Sequence, residues 1–140
     1  MHTNIFRGLI NLKYLHLFNT GLTSLEPTLF NGLSQLRELY LDNNQLVTLD
    51  SSIFKGLHQL TDLLLYNNDI TSLDADLFSD LTSLKLLWLN YNNIVSIDRM
   101  VFVGLLNLET VQLKGNPISM LMPTYVSRLC DTNPKCTIEY

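Results

Sequence analysis

The side chains that could do acid–base, metal or nucleophilic chemistry are scattered through this 140-residue chain. Its three histidines, His2, His16 and His58, share no spacing with one another. Cys130 and Cys136 stand near the C-terminus, with no further ligand placed to complete a metal site. Carboxylate pairs such as Asp74 and Asp76 sit among turn residues, where solvation is their ordinary role. No Ser-His-Asp, Cys-His or metal-ligand constellation converges, so no enzyme, no metal and no cofactor is expected. Recognition is a different chemistry, and Tyr and Trp supply it with large rigid contact area at low entropic cost. Six of the thirteen aromatics, Tyr14, Phe18, Tyr40, Tyr66, Trp88 and Tyr91, fall at related places in a repeating pattern.

The stretch that positions them is Leu60–Ile70. Apolar residues hold its first, fourth, sixth and eleventh places and an asparagine its ninth. The same frame begins at Leu36 and at Leu84, 24 residues away on either side. A fixed period of this size marks a repeat architecture. Complete units run over 12–35, 36–59, 60–83 and 84–107, between partial units at 1–11 and 108–118. Residues 119–140 depart from the frame and are read as a C-terminal capping segment.

Within each unit the first eight residues alternate as a strand does. Places four and six point inward, and places three, five and seven point outward. Strands are expected near 14–18, 38–42, 62–66, 86–90 and 110–114. A 24-residue return is too long for a hairpin and suits a parallel connection, so the strands stack into one parallel sheet. The returns supply three interior columns. These are Leu25, Leu49, Leu73 and Ile97; Phe30, Phe54, Phe78 and Phe102; and Leu33, Leu57, Leu81 and Leu105. Gly, Asp and Pro in the returns predict turns and short helical pieces. The class is α/β, a solenoid with its parallel sheet along one side. Place nine holds Asn44, Asn68, Asn92 and Asn116, with Thr20 in the first complete unit. A buried Asn there satisfies backbone groups where the chain bends, and the column is read as structural. No Asn begins a glycosylation sequon.

The frame LxxLxLxxNxL, with a downstream Phe and the 24-residue period, resembles the leucine-rich repeat family over residues 12–118. The Phe-containing unit is similar to the extracellular type found in Toll-like receptors, LRR-bearing G-protein-coupled receptors and the variable lymphocyte receptors of jawless vertebrates. That resemblance implies a curved, horseshoe-like solenoid with the parallel sheet on its concave side. It implies an extracellular or cell-surface, non-catalytic module with an immune role, while adhesion and hormone-receptor modules share the same frame.

The segment after Asn116-Pro117 resembles the C-terminal caps of extracellular leucine-rich repeat proteins, which usually carry four cysteines. Ser119 or Thr124 is expected to cap a short helix that lays Leu121, Met122, Tyr125, Val126 and Leu129 over the fifth unit. A disulfide between Cys130 and Cys136 is the favoured state, with two free thiols as the other. No cysteine cap precedes Leu12. The first coil is therefore expected to present an open edge, covered by upstream chain or by self-association.

The places that the frame leaves free carry the functional expectation. Place five gives His16, Tyr40, Leu64, Trp88 and Gln112, which should touch in a row because neighbouring strands are about 4.8 Å apart. Place three adds Tyr14, Glu38, Asp62 and Leu86; place seven adds Phe18, Asp42, Tyr66 and Asn90; place eight adds Tyr91. Together they form the expected ligand-binding face, for a protein or a microbial-surface glycan. Glu38, Asp42 and Asp62 gather beside Tyr40 and Leu64, where they would suit a basic or hydroxyl-rich partner. Such a patch rarely lacks a partner. Self-pairing, or stacking that only stiffens the sheet, are the other readings. Net charge is −4, which argues against nucleic acid or anionic membrane as partners. No apolar run approaches the roughly 20 residues of a membrane span.

Overall fold

The computed structural model describes residues 5–140, so His2 and the start of the unit at 1–11 lie outside the described residues. In chain order the elements are β1 Tyr14–His16, β2 Glu38–Tyr40, β3 Asp62–Leu64, β4 Ser72–Leu73, β5 Leu86–Trp88, β6 Ser96–Ile97, β7 Thr110–Gln112, α1 Pro117–Leu121, α2 Pro123–Val126 and β8 Thr137–Glu139. Six strands form one sheet in the order β1-β2-β3-β5-β7-β8, and every neighbouring pair is parallel. A second parallel pair, β4 with β6, lies in the returns.

The register follows the repeat. Tyr14, Glu38, Asp62, Leu86 and Thr110 sit side by side, each 24 residues from the next. Regular strand covers three residues of each unit rather than the five expected. The cause is place eight, where Asn19, Asn43, Asn67, Tyr91 and Gly115 all take left-handed backbone, with φ between 51° and 76°. Ladder bonds nevertheless continue past the strands. Leu65 N donates to Trp88 O at 2.8 Å and Asn67 N to Asn90 O at 3.1 Å, so place seven still lies on the sheet.

The interior is made of repeating columns. Leu39, Leu63, Leu87 and Val111 are fully buried, as are Leu41, Leu65, Leu89 and Leu113. The phenylalanines form a spine, with Phe54–Phe78 and Phe78–Phe102 centroids 6.0 and 6.3 Å apart. Leu73 and Ile97 are buried, while Leu25 and Leu49 are only half-buried. The asparagines tie each coil to the one before it. Asn68 Nδ2 donates to Leu65 O in its own coil and to Leu41 O in the preceding one, both at 3.0 Å, and its Oδ1 accepts from Leu46 N. Asn92 and Asn116 repeat this pattern. Thr20 stands in for the asparagine with a hydroxyl that lies 2.8 Å from Leu17 O in its own coil and 3.1 Å from Asn44 Oδ1 in the next, while its backbone N–H also donates to Asn44 Oδ1.

The C-terminal segment differs from its expected form. Two short helices replace one, because Pro123 follows Met122 and breaks the run. Neither has a side-chain cap: Ser119 Oγ donates to Leu113 O instead, and Thr124 lies inside α2. Val126 and Leu129 are buried and Tyr125 is half-buried, but Leu121 and Met122 stay exposed, since the break turns them off the shared face. Cys130 and Cys136 are joined by a disulfide. Asn133 is buried, and its Nδ2 donates to Leu105 O and Leu108 O at 2.9 Å. The chain then returns to the sheet as β8, pairing Thr110 with Thr137, a separation of 27 rather than 24. At the other end, Phe6, Leu12, Leu17 and Leu22 are half-buried, whereas Phe30, Leu36, Leu41 and Leu46, one unit later, are fully buried.

Candidate functional site

The inward leucines fix which way each strand faces, so each outward residue meets its counterpart one coil away. His16 and Tyr40 stack with centroids 4.1 Å apart and planes 2° from parallel. Glu38 Oε2 lies 3.4 Å from His16 Nε2. Trp88 meets Tyr66 of place seven, at 5.9 Å and 53°. Half-buried Leu64 lies between Tyr40 and Trp88 in the register. The expected place-five row of His16, Tyr40, Leu64, Trp88 and Gln112 is in register, and its ring contacts fall on either side of Leu64: His16 with Tyr40 and with Phe18 at 6.4 Å, and Trp88 with Tyr66.

Asp42 is the main departure. Strand alternation puts it among the free ligand contacts, yet it is 4% exposed. Asn43 Nδ2 donates to its Oδ2 at 2.7 Å, and the Tyr66 hydroxyl lies against it. Its short side chain is covered by these neighbours, so its work is to hold Asn43 and Tyr66. Burial is the main cause that pushes the Tyr66 phenol pKa up, followed by Asp42 as its hydrogen-bond partner. Tyr40 behaves alike: burial first, then Glu38, then the nearby charges of Asp62 and Asp42. Both phenols remain protonated donors at neutral pH. Asp62 is half-buried, and burial raises its carboxyl pKa although the Thr61 hydroxyl donates to it at 3.2 Å.

Of the remaining sheet-face residues, Tyr14, His16, Phe18, Trp88 and Tyr91 are exposed, while Glu38, Leu86, Asn90 and Gln112 are half-buried. Asn90 Oδ1 is buried without a hydrogen-bond partner. Gln112 Nε2 donates to Glu139 Oε2 at 2.6 Å. Glu139 extends the place-five row by one strand and was missed; the alternation Thr137-Ile138-Glu139 around an apolar centre was its only signal.

Tyr91 has a backbone unlike that of any other aromatic here. Asn or Gly fills place eight in every other unit, and both tolerate left-handed backbone. Tyr91 adopts it at φ 55° and is 52% exposed as a residue. A bulky residue in that region is an outlier that costs about 1–3 kcal/mol. Its ring lies over Gly115 of the next coil, where an added Cβ would come within 2.5 Å of Cδ1. Only glycine leaves the ring its place.

Among the described residues no group of three or more His, Cys, Asp or Glu is arranged to hold a metal ion. His58 lies in a return, its Nδ1 2.9 Å from Asp80 O. No helix among the described residues is long and apolar enough to cross a membrane.

The leucine rich repeat family model matches residues 10–70, 35–94 and 58–118. The chain belongs to the leucine rich repeat family. No curated protein gave a significant match. A leucine-rich repeat protein of Leptospira interrogans is 32% identical over 94% of this chain and 32% of its own, with a TM-score of 0.81. A chain of the Drosophila Toll–Spätzle complex is 26% identical over 99% of this chain and 19% of its own, with a TM-score of 0.88. The APL1 leucine-rich repeat domain, at 23% identity over 82% of this chain and 30% of its own, shares the fold with a TM-score of 0.79. The solenoid thus resembles a Toll-like receptor ectodomain. It spans less than a third of the length of each of these solved chains.

Proposed function

We propose that this chain is a non-catalytic, extracellular recognition module that binds a protein ligand on the concave sheet face, in an innate-immune setting. One observation carries the reading: the six aromatics outside the core and the C-terminal segment all lie on the sheet face, and four of them are exposed. Exposing that much aromatic surface on a monomer is costly in solubility and gains nothing without a partner. Tyr91 adds weight, since it keeps a strained backbone where Asn would be relaxed. Glu38 and Asp62 beside the Tyr40 phenol suit a basic side chain on the partner. The Drosophila structure, described as a hub in development and innate immunity, is that of a complex of Toll with Spätzle, which supports a protein ligand. The Cys130–Cys136 disulfide suits an oxidising compartment. The repeats are taken to end at 118 and the cap to follow.

A microbial-surface glycan is the second reading, carried by exposed Trp88, whose ring face can stack on a sugar. Homophilic pairing, through this face or through the half-buried first coil, is the third. The test is to screen the purified chain against candidate proteins and bacterial-wall components, with sedimentation run alongside. A monomer whose ligand binding is lost in Tyr40→Ala and in Trp88→Ala supports recognition. A concentration-dependent dimer broken by the same substitutions supports adhesion. Binding untouched by both moves the site off the concave centre.

A further inference from the structure

A second surface lies in the returns, where the unit at 84–107 meets the C-terminal segment. A groove of about 370 Å³ runs between Arg99, Met100 and Val103 on one side and Tyr125, Arg128 and Leu129 on the other. The Tyr125 hydroxyl donates to Ile97 O at 2.7 Å and sets the cap against the return. Buried Leu129 forms the floor, while Met100 and Val103 remain 49% and 44% exposed.

Two features distinguish this groove from the rest of the return surface. First, its apolar side chains stand where other units are polar. One, two and three units earlier, the place of Met100 holds Asp76, Ser52 and Thr28, and that of Val103 holds Ser79, Lys55 and Asn31. Second, Arg99 and Arg128 are two of only four arginines in a chain of net charge −4. Neither makes an ion pair among the described residues, and no carboxylate lines the groove.

We propose that this groove docks an acidic, apolar peptide segment of a partner protein, separately from the concave face. The guanidinium forks take carboxylates of the segment in paired hydrogen bonds. Met100, Val103 and Leu129 seat one or two of its apolar side chains. Met100 and Val103 are open to solvent, so an acyl chain laid against them would keep much of its apolar surface in water. A peptide brings its own backbone solvation and needs only anchor pockets.

The test is a heteronuclear NMR titration of the labelled chain with the blocked peptide Glu-Asp-Phe-Leu-Asp-Glu. Controls are the same peptide with lysines for its acids, and octanoate. The acidic peptide is expected to shift the amides of Met100, Val103 and Leu129. The exposed double substitution Arg99→Gln/Arg128→Gln should weaken it by about ten-fold or more at unchanged circular dichroism. Met100→Asp/Val103→Ser, which installs the residues of the unit at 60–83, should weaken it similarly. Equal binding of the lysine peptide, shifts confined to the sheet face, octanoate binding without peptide binding, or no effect of the arginine changes would each overturn the proposal.

Discussion

Leu39 and Tyr40 are neighbours on one strand, yet one is wholly buried and the other lies half-buried on the sheet face. The inward side repeats a residue type in every coil because each copy must fit between copies of itself. The outward side changes from coil to coil, from His16 to Tyr40, Leu64, Trp88 and Gln112. The contrast separates what holds the solenoid from what is free to recognise a partner. Stability resides in the columns and variety on the face, and substitutions on the two sides should behave differently.

The largest effect is expected in the phenylalanine spine. Phe54→Ala should cost about 3–5 kcal/mol in urea unfolding, since Phe54 is fully buried and stacked on Phe78. Phe6→Ala should cost about half as much or less, because Phe6 is only half-buried. Equal costs would erase the distinction between middle and first coils. Next comes the asparagine column. Asn68→Ala strands Leu46 N and removes one of the two amide donors from Leu41 O and from Leu65 O, which keep Asn44 and Asn92, and a loss of about 1–3 kcal/mol is expected.

On the face the signs change. Tyr91→Asn should raise stability by about 1 kcal/mol, because Asn tolerates the left-handed backbone. Gly115→Ala should cost less in that background than in the native chain, since the ring that its Cβ would strike is gone. Additive costs would show that the ring and the glycine are not coupled. The smallest effect is electrostatic. Burial raises the Asp62 pKa, so this group favours the fold only below the usual carboxylate pKa near 4 and opposes it as pH rises through its folded value. Asp62→Asn should therefore be more stable at pH 7, by under about 0.5 kcal/mol once solvent screening is counted, with the gap closing below pH 4. A gap that widens in acid would reverse the sign assigned to Asp62.

Much of the fold is legible in the sequence, because a 24-residue period leaves a parallel stack as the natural arrangement and alternation orients each strand. Depth is less legible. Alternation gives Asp42 its direction, but only its neighbours Asn43 and Tyr66 decide that so short a side chain is covered. The left-handed place eight is visible once Asn19, Asn43, Asn67 and Gly115 are aligned, and Tyr91 then stands out. β8 escapes because the final coil is 27 residues long and shifts its strand out of the frame. The cap helices follow the position of Pro123 more than the apolar pattern around it.

The division between scaffold and face is tested most directly at Trp88, which is 37% exposed and leans on Tyr66. The measurement is a calorimetric titration of Trp88→Ala with the ligand recovered by the screen, paired with urea unfolding of the same variant. Affinity is expected to fall by about 30-fold or more, a loss of 2 kcal/mol or greater, while unfolding changes by about 1 kcal/mol or less. Unchanged affinity, or a binding loss no larger than the loss of stability, would contradict a recognition role for the concave face.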